Sequence, residues 1–348
     1  MIKEIGSEFS YKKNNYGQGV PLLEGVKDYI YTFSGRTAIE TVLENEQQIK
    51  KVMLPSYCCD SMIEPFRRKG IEIYFYNVNY KEKKLQINIE AEENVDAILW
   101  CNYFGFNLKM PDFTKFIEKN VIIIEDITHC FYSKNNRYNE LSHYIVASIR
   151  KWEPVLCGGY CASVKSELKY KPSKFPTKEF LEEKKRAMLL KKEYLEGNIK
   201  VNKGEFLEKF LKSNIWLSEN YFGLTIDNES ISILEHVDAE KNIIQRCNNA
   251  KELYKGLKEC KFITPMFKEE DIDCPLFVPV LVDKKNRDYV RKKLIENKIY
   301  CPIHWPKPNA SCKSNLYDIE LSLICDHRYN EFDMKRIIEV LKKCEENF

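Results

Sequence analysis

The run Val121-Ile122-Ile123-Ile124-Glu125-Asp126-Ile127-Thr128-His129 decides the fold. Its first four residues are apolar and β-branched, bounded by Asn120 on one side and an acidic pair on the other, which predicts a central strand buried on both faces. The acids then fall at its carboxyl end. Ligands of open α/β sheets bind along that edge, so a carboxylate delivered there is either a helix cap or a ligand-binding group. A second stretch bears on the choice. Ser148-Ile149-Arg150-Lys151 ends another apolar run, 144–149, and precedes Gly158-Gly159.

A lysine and an aspartate at the ends of two strands, with His129 three residues past the aspartate, are the parts needed to hold pyridoxal phosphate. The lysine forms a Schiff base with the aldehyde, and the aspartate keeps the pyridine nitrogen protonated so that the ring acts as an electron sink. Neither type means much alone. A lysine taken at random is a solvated surface charge, and only the pairing of Lys151 with Asp126 lifts it above that.

Working outward, residues 1–29 are polar and aromatic, with Gly17, Gly19 and Pro21, and read as an extended arm lying on the surface or on a neighbouring subunit. Order is expected from Ile30. Ser34-Gly35-Arg36-Thr37-Ala38-Ile39-Glu40 opens a helix with Ile39, Val42 and Leu43 at helical spacing. Its start is either an anion site, made of free N–H groups beside a glycine and Arg36, or an ordinary cap. Strands over 51–54, 71–78, 95–102, 121–125, 144–149 and 160–164 and helices over 61–69 and 111–118 follow, an alternation that predicts a mainly parallel sheet. Residues 172–216 turn to Lys, Glu and Leu and read as a helical connector. A single helix over 230–257, a strand over 276–282, a helix over 286–296, a strand over 300–303 and a closing helix over 331–344 make a smaller α/β unit.

The 348 residues suffice for a large domain and a smaller one. With Lys+Arg 55 against Asp+Glu 52 and a net charge of +3, no segment is basic enough for a nucleic-acid-binding arm. The 13 cysteines are odd in number and lack C-x-x-C spacing, which suits free thiols in a reducing cytoplasm better than a disulfide framework or a metal site. No apolar leader or membrane-crossing run is present, so no membrane association is expected.

With its elements in order, the chain resembles the DegT/DnrJ/StrS nucleotide-sugar aminotransferases, fold-type-I pyridoxal phosphate enzymes. The resemblance runs from Ser34 to about Leu341 and is carried by Ser34-Gly35-Arg36-Thr37-Ala38-Ile39, Leu54-Pro55-Ser56-Tyr57, Asn102-Tyr103-Phe104-Gly105, Glu125-Asp126-Ile127-Thr128-His129, Ser148-Ile149-Arg150-Lys151 with Gly158-Gly159, and His304-Trp305-Pro306. It implies an α/β fold of the aspartate aminotransferase type, with a mainly parallel seven-stranded sheet flanked by helices. The arm would span 1–29, the large domain 30–225 with its connector from about 170, and the interdomain helix and small C-terminal domain 226–348.

The resemblance implies Lys151 and Asp126 as catalytic residues on pyridoxal 5'-phosphate. His129 would lie next to the ring hydroxyl, where the family often has glutamine. Gly35, Arg36 and Thr37 would cradle the phosphate, with Ser148 adding a hydroxyl. The Arg36 position is usually threonine; an arginine binds phosphate through its fork or turns to a substrate anion. Cys59 stands where many relatives place an aromatic ring over the cofactor, and Tyr57 substitutes for it only if the loop is shifted. The partner-crossing asparagine motif is not visible near 224–230, where Asn228 is the nearest candidate. His304 either contacts substrate or packs under Trp305, and Arg328 either takes a donor carboxylate or forms a surface ion pair.

The implied reaction moves an amino group from an amino-acid donor to a keto-sugar, nucleotide-linked, for surface polysaccharide or glycoconjugate synthesis, in a cytoplasmic homodimer. Two alternatives stand beside it. One is a dehydratase-like sugar reaction, whose enzymes usually replace the lysine retained here. The other is a non-catalytic binding or regulatory subunit, which the missing aromatic ring favours and the retained aspartate and lysine oppose.

Overall fold

The computed structural model describes residues 3–13, 17–90, 94–135 and 137–345. In chain order the elements are β1 (Ile5–Gly6), β2 (Asp28–Thr32), α1 (Gly35–Asn45), β3 (Lys51–Pro55), α2 (Asp60–Arg68), β4 (Glu72–Lys81), β5 (Lys84–Asn88), β6 (Ala97–Cys101), α3 (Thr114–Ile117), β7 (Ile122–Asp126), β8 (Tyr144–Ala147) and β9 (Gly159–Ser163). They continue with α4 (Lys178–Leu195), α5 (Lys203–Glu219), α6 (Asn228–Glu235), α7 (Ala239–Leu257), β10 (Ile263–Pro265), β11 (Phe277–Val282), α8 (Lys284–Glu296), β12 (Ile299–Tyr300), α9 (Leu316–Ile319), β13 (Glu320–Ile324) and α10 (Glu331–Glu345).

The large sheet runs β2-β9-β8-β7-β6-β3-β4-β5. The five strands from β8 to β4 pair in parallel, and β9, β2 and β5 join antiparallel at the two sides. All five residues of β6 and all four of β8 are buried, as expected of strands covered on both faces. Each large aliphatic side chain among them contributes roughly 1.5–3 kcal/mol on leaving water. The parallel register places Cys101 opposite Asp126 and Asp126 opposite Val146, so the carboxyl ends of β6, β7 and β8 meet on one edge. A second, three-stranded sheet, β10-β11-β13, packs with α7, α8 and α10.

Several boundaries differ from the sequence reading, each for a local reason. The large sheet has eight strands: β5 returns on β4 through Glu82 and Lys83, both in the left-handed region at φ 51 and 58. That is a two-residue hairpin turn made without the usual Asn or Gly. The helix expected over 111–118 is reduced to the single turn of α3. The helix expected over 230–257 breaks at His236, and Asp238 caps a second helix by accepting from the Lys241 N–H. The arm packs on its own chain. Ile5 is fully buried, β1 pairs in parallel with β12, and residues 17–20 run along the α6–α7 break through Gly17 N–H to His236 and Gly19 N–H to Val237. Among the described residues no helix is long and apolar enough to cross a membrane.

Gly159 sets how closely α1 approaches the sheet. A Cβ built there would lie 2.3 Å from the carbonyl carbon and oxygen of Ser34 and 2.5 Å from Thr32 Oγ1, and backbone cannot swing aside as a side chain does. Gly159→Ala is expected to lower stability by about 1–3 kcal/mol, read from the denaturant midpoint. An unchanged midpoint would mean that the Ser34 turn gives way freely.

Candidate active site

The site is built on the edge where β7 and β8 end. Asp126 is the last residue of β7. Its Oδ1 accepts the Thr128 N–H at 2.8 Å, closing the turn that carries the chain to His129. Thr128 also ties the two strand ends together. Its Oγ1 accepts the Ser148 N–H at 3.0 Å, and its carbonyl accepts the indole N–H of Trp152 at 2.7 Å. Lys151 ends the short 3-10 turn Ile149–Lys151 directly after Ser148. Thr128 thus links the turn after Asp126 to the segment that carries Lys151.

A cleft of about 560 Å³, its open mouth included, is lined by Asp126, His129, Ser148, Lys151, Cys59 and Trp305, with Ser34, Gly35 and Arg36 at one end. That end is the start of α1. Ser34 Oγ accepts the Thr37 N–H and the Ser34 carbonyl accepts that of Ala38, which leaves Gly35 and Arg36 N–H without acceptors among the described residues. Such groups bind anions. Gly35 makes the approach close: a Cβ there would stand 3.2 Å from Ser148 Cβ, a contact that the neighbour could relieve only by shifting.

Burial lifts the Asp126 carboxyl above its ordinary value, opposed by hydrogen bonds from Thr128 and by the Lys151 charge. A cationic or N–H partner would bring it back down. His129 is buried, and neither Nδ1 nor Nε2 has a partner among the described residues. Burial, then Lys151 and His304, hold its pKa well below the usual histidine range, so the ring is neutral. It stacks on Trp305 with centroids 5.1 Å apart and meets His304 edge-on at 5.3 Å.

The other expected site residues divide. Arg36 reaches the cleft, but its Nε donates to Glu64 Oε2 at 3.0 Å on α2. Thr37 does not line the cleft: it is buried, and its hydroxyl donates to the Tyr221 carbonyl at 2.9 Å. Tyr57 does not line it either, being fully buried behind Trp305 with ring centroids 5.1 Å apart. Cys59 does, its Sγ 2.8 Å from Ser61 Oγ. The aromatic ring in the cleft wall is Trp305, which sequence reasoning had placed only as packing for His304. Thr128 was passed over as well; a hydroxyl two residues beyond the aspartate was the available signal. Asn228 opens α6, outside the cleft.

Lys151 and Arg150 also line a second chamber, with His304, Phe277 and Arg328. His304 Nδ1 lies 2.8 Å from Ser322 Oγ, Ser322 Oγ donates to Glu320 Oε1 at 2.5 Å, and Glu320 Oε2 accepts the His304 N–H at 2.7 Å. The fork of Arg328 is taken by Asp326, with Nε to Oδ1 at 2.9 Å and Nη2 to Oδ2 at 2.7 Å, while Nη1 donates to the carbonyls of Ser7 and Glu8. The arm therefore forms one wall. Burial acts to raise Glu8, but Lys184, Arg150 and Asn214 overcome it and bring the carboxyl to about 2.

Burial pushes Glu320 up to about 8 against the hydrogen bonds it accepts. The unfolded chain releases this proton near pH 4.5 and the folded chain near 8, so the stability this group contributes is complete below 4.5 and is lost as pH rises to 8. Glu320→Gln removes the titration. Its unfolding free energy is expected to gain on wild type by up to about 1.4 kcal/mol per pH unit between pH 5 and 8, read from denaturant curves. A constant offset across that range would show that Glu320 is ionised throughout.

Many solved structures share this architecture. PseC of Helicobacter pylori, an aminotransferase involved in the biosynthesis of pseudoaminic acid, superposes with a TM-score of 0.65 at 16% identity, covering 100% of this chain and 99% of its own. DesI, solved in the presence of its TDP-sugar product, gives 0.65 at 13% identity over 93% of this chain and 82% of its own. A DegT/DnrJ/EryC1/StrS aminotransferase from Brucella abortus gives 0.62 at 16% over 92% and 86%. No family model matches the sequence, and no curated protein matches it. The fold is that of the fold-type-I pyridoxal phosphate aminotransferases.

Proposed function

We propose that the chain is a pyridoxal phosphate-dependent aminotransferase moving an amino group from an amino-acid donor to a keto-sugar carried on a nucleotide, for surface polysaccharide or glycoconjugate synthesis in the cytoplasm. The observation that carries this reading is one cleft that brings together a buried carboxylate, an amine and the open start of a helix: Asp126, Lys151 and Gly35. The residues present fit the cofactor. Gly35 and Arg36 N–H with the Ser148 hydroxyl suit its phosphate. Asp126 suits its ring nitrogen, and the unpartnered buried nitrogens of His129 suit its ring hydroxyl.

Bound there, pyridoxal phosphate supplies an electron sink for the carbon bearing the amino group. Asp126 would face the ring nitrogen and favour a proton there. Lys151 would anchor the cofactor through its amine and, when free, would serve as general base and acid at the donor carbon. Trp305 closes one wall against water. His304, steadied by Ser322 and Glu320, faces the second chamber, where the sugar is held. One of the similar structures, DesI, was solved in the presence of its TDP-sugar product, which supports this substrate class.

A homodimer belongs to the same reading. Leu207, Leu211 and Ile215 recur at four-residue spacing on α5 and are 43%, 60% and 48% exposed, an apolar stripe that suits a second copy. The test is the visible spectrum of the purified protein with added pyridoxal phosphate. A yellow band that borohydride fixes onto Lys151, and that an amino acid bleaches, supports the reading. A folded protein that gives no band refutes it and leaves a binding or regulatory role.

A further inference from the structure

His304 is 7% exposed, and three rings fix how it lies: Phe277 with centroids 4.7 Å apart, Trp305 edge-on at 5.5 Å and His129 edge-on at 5.3 Å. Burial and the Lys151 charge keep the imidazole neutral. A neutral ring carries one proton, on Nδ1 or on Nε2, and the bond made by one nitrogen decides the state of the other. Nδ1 lies against Ser322 Oγ at 2.8 Å. Nε2 has no partner among the described residues, and it is not sealed off as both nitrogens of His129 are. The residue lines the second chamber together with Lys151.

Behind the ring the bonds run in one line. Ser322 Oγ stands 2.5 Å from Glu320 Oε1, and Oε2 accepts the His304 N–H at 2.7 Å. Glu320 and Ser322 are fully buried. A hydroxyl held between two partners donates to one and accepts from the other. With Glu320 ionised, Ser322 donates to Oε1 and accepts from Nδ1–H, so Nε2 keeps a bare lone pair. With Glu320 neutral, Oε2 is already engaged, so the acid proton lies on Oε1 and is donated to Oγ. Ser322 then donates to Nδ1, and the ring carries its proton on Nε2. The one proton gained enters at Nε2, as the Nδ1 proton passes to Oγ and the Oγ proton to Oε1.

The groups that face this chain are few. Arg287 of α8 favours an ionised Glu320, Tyr57 beyond β3 faces the same carboxyl, Cys301 lies just before His304, and β11 sets the apolar Leu281 opposite. Lys151 and His129 face the ring. Burial outweighs Arg287 and lifts Glu320 to about 8.

We propose that Glu320 and Ser322 are positioning residues that set the tautomer of His304, so that the chamber offers its substrate an N–H while Glu320 is neutral and a lone pair once it is ionised. The relay rests on the aminotransferase reading only for its substrate. The N–H form, present at neutral pH, suits the carbonyl oxygen of a keto-sugar; the lone-pair form suits a hydroxyl.

The test is the titration of the imidazole nitrogens by long-range 1H–15N correlation on histidine-labelled protein, from about pH 6 to 10, with and without pyridoxal phosphate. His304 is identified among the five histidines by the signal lost in His304→Gln. Should that variant not fold, replacing His129, His143, His236 and His327 in turn identifies it by elimination. Wild type is expected to pass from the Nε2–H to the Nδ1–H tautomer with a midpoint of about 8, never showing the doubly protonated ring. Glu320→Gln, whose amide oxygen accepts the His304 N–H while its NH2 donates to Oγ as the neutral acid does, should hold Nε2–H throughout. Ser322→Ala should show no switch.

One tautomer from end to end in wild type overturns the proposal. So does a switch that survives in Ser322→Ala, which would assign it to Lys151. If neither variant folds, the wild-type titration decides alone. A switch in a protein that takes up no pyridoxal phosphate sinks the aminotransferase reading and leaves the relay standing, whereas cofactor loading without a switch sinks the relay alone.

Discussion

Lys151→Ala is expected to lower turnover by at least about 10⁴-fold and to abolish the borohydride-fixed attachment of the cofactor, while the protein stays folded. Among the described residues Lys151 is the only lysine lining either chamber, so none of the neighbouring amines described can take over both tasks. The two histidines that share its surroundings are poor substitutes as bases. Burial first, then the Lys151 charge, holds His129 and His304 well below the usual histidine range. Fold stability should survive, because the lysine side chain is only half-buried in the cleft wall and the backbone of its turn is fixed by Trp152 N–H to the Ile149 carbonyl at 2.7 Å. Single-turnover absorbance with an amino donor measures the loss. Activity within tenfold of wild type would remove Lys151 from the chemistry and the aminotransferase reading with it.

How far the sequence led can be followed along particular residues. The β-branched run before Asp126 was readable because a strand buried on both faces must be continuously apolar, and the acid at its end then had only the sheet edge to occupy. The start of α1 was readable as a small-residue turn. What it could not disclose was which side chain turned outward: Thr37 serves the Tyr221 carbonyl and Arg36 serves Glu64, partners 184 and 28 residues away. Contacts of that range leave no periodic trace.

Trp305 was hidden for the same reason. It becomes a wall residue only when the small unit closes on the large one. The arm escaped for a different reason. β1 is two residues long and pairs with β12 near the far end of the chain, and so short an element has no pattern to detect.

Asp126→Asn is the second large effect, and it separates electrostatics from scaffolding. Asparagine keeps the carbonyl oxygen that accepts the Thr128 N–H, so the turn from β7 to His129 and the tie to Ser148 are retained. Burial already works against the charge on Asp126, and a neutral side chain should leave the cofactor-free protein as stable as wild type. What asparagine cannot do is hold a proton on the ring nitrogen through a negative charge. Turnover should therefore fall about 10²- to 10³-fold, the scale for losing one preorganised electrostatic partner in a closed site, while Lys151 still fixes the cofactor on reduction. The rise in Tm on loading the cofactor should shrink in the variant, since the carboxylate would no longer meet a cation. Wild-type turnover in Asp126→Asn would mean that the ring nitrogen is unprotonated during the reaction, and the carboxylate would then serve only to close the turn.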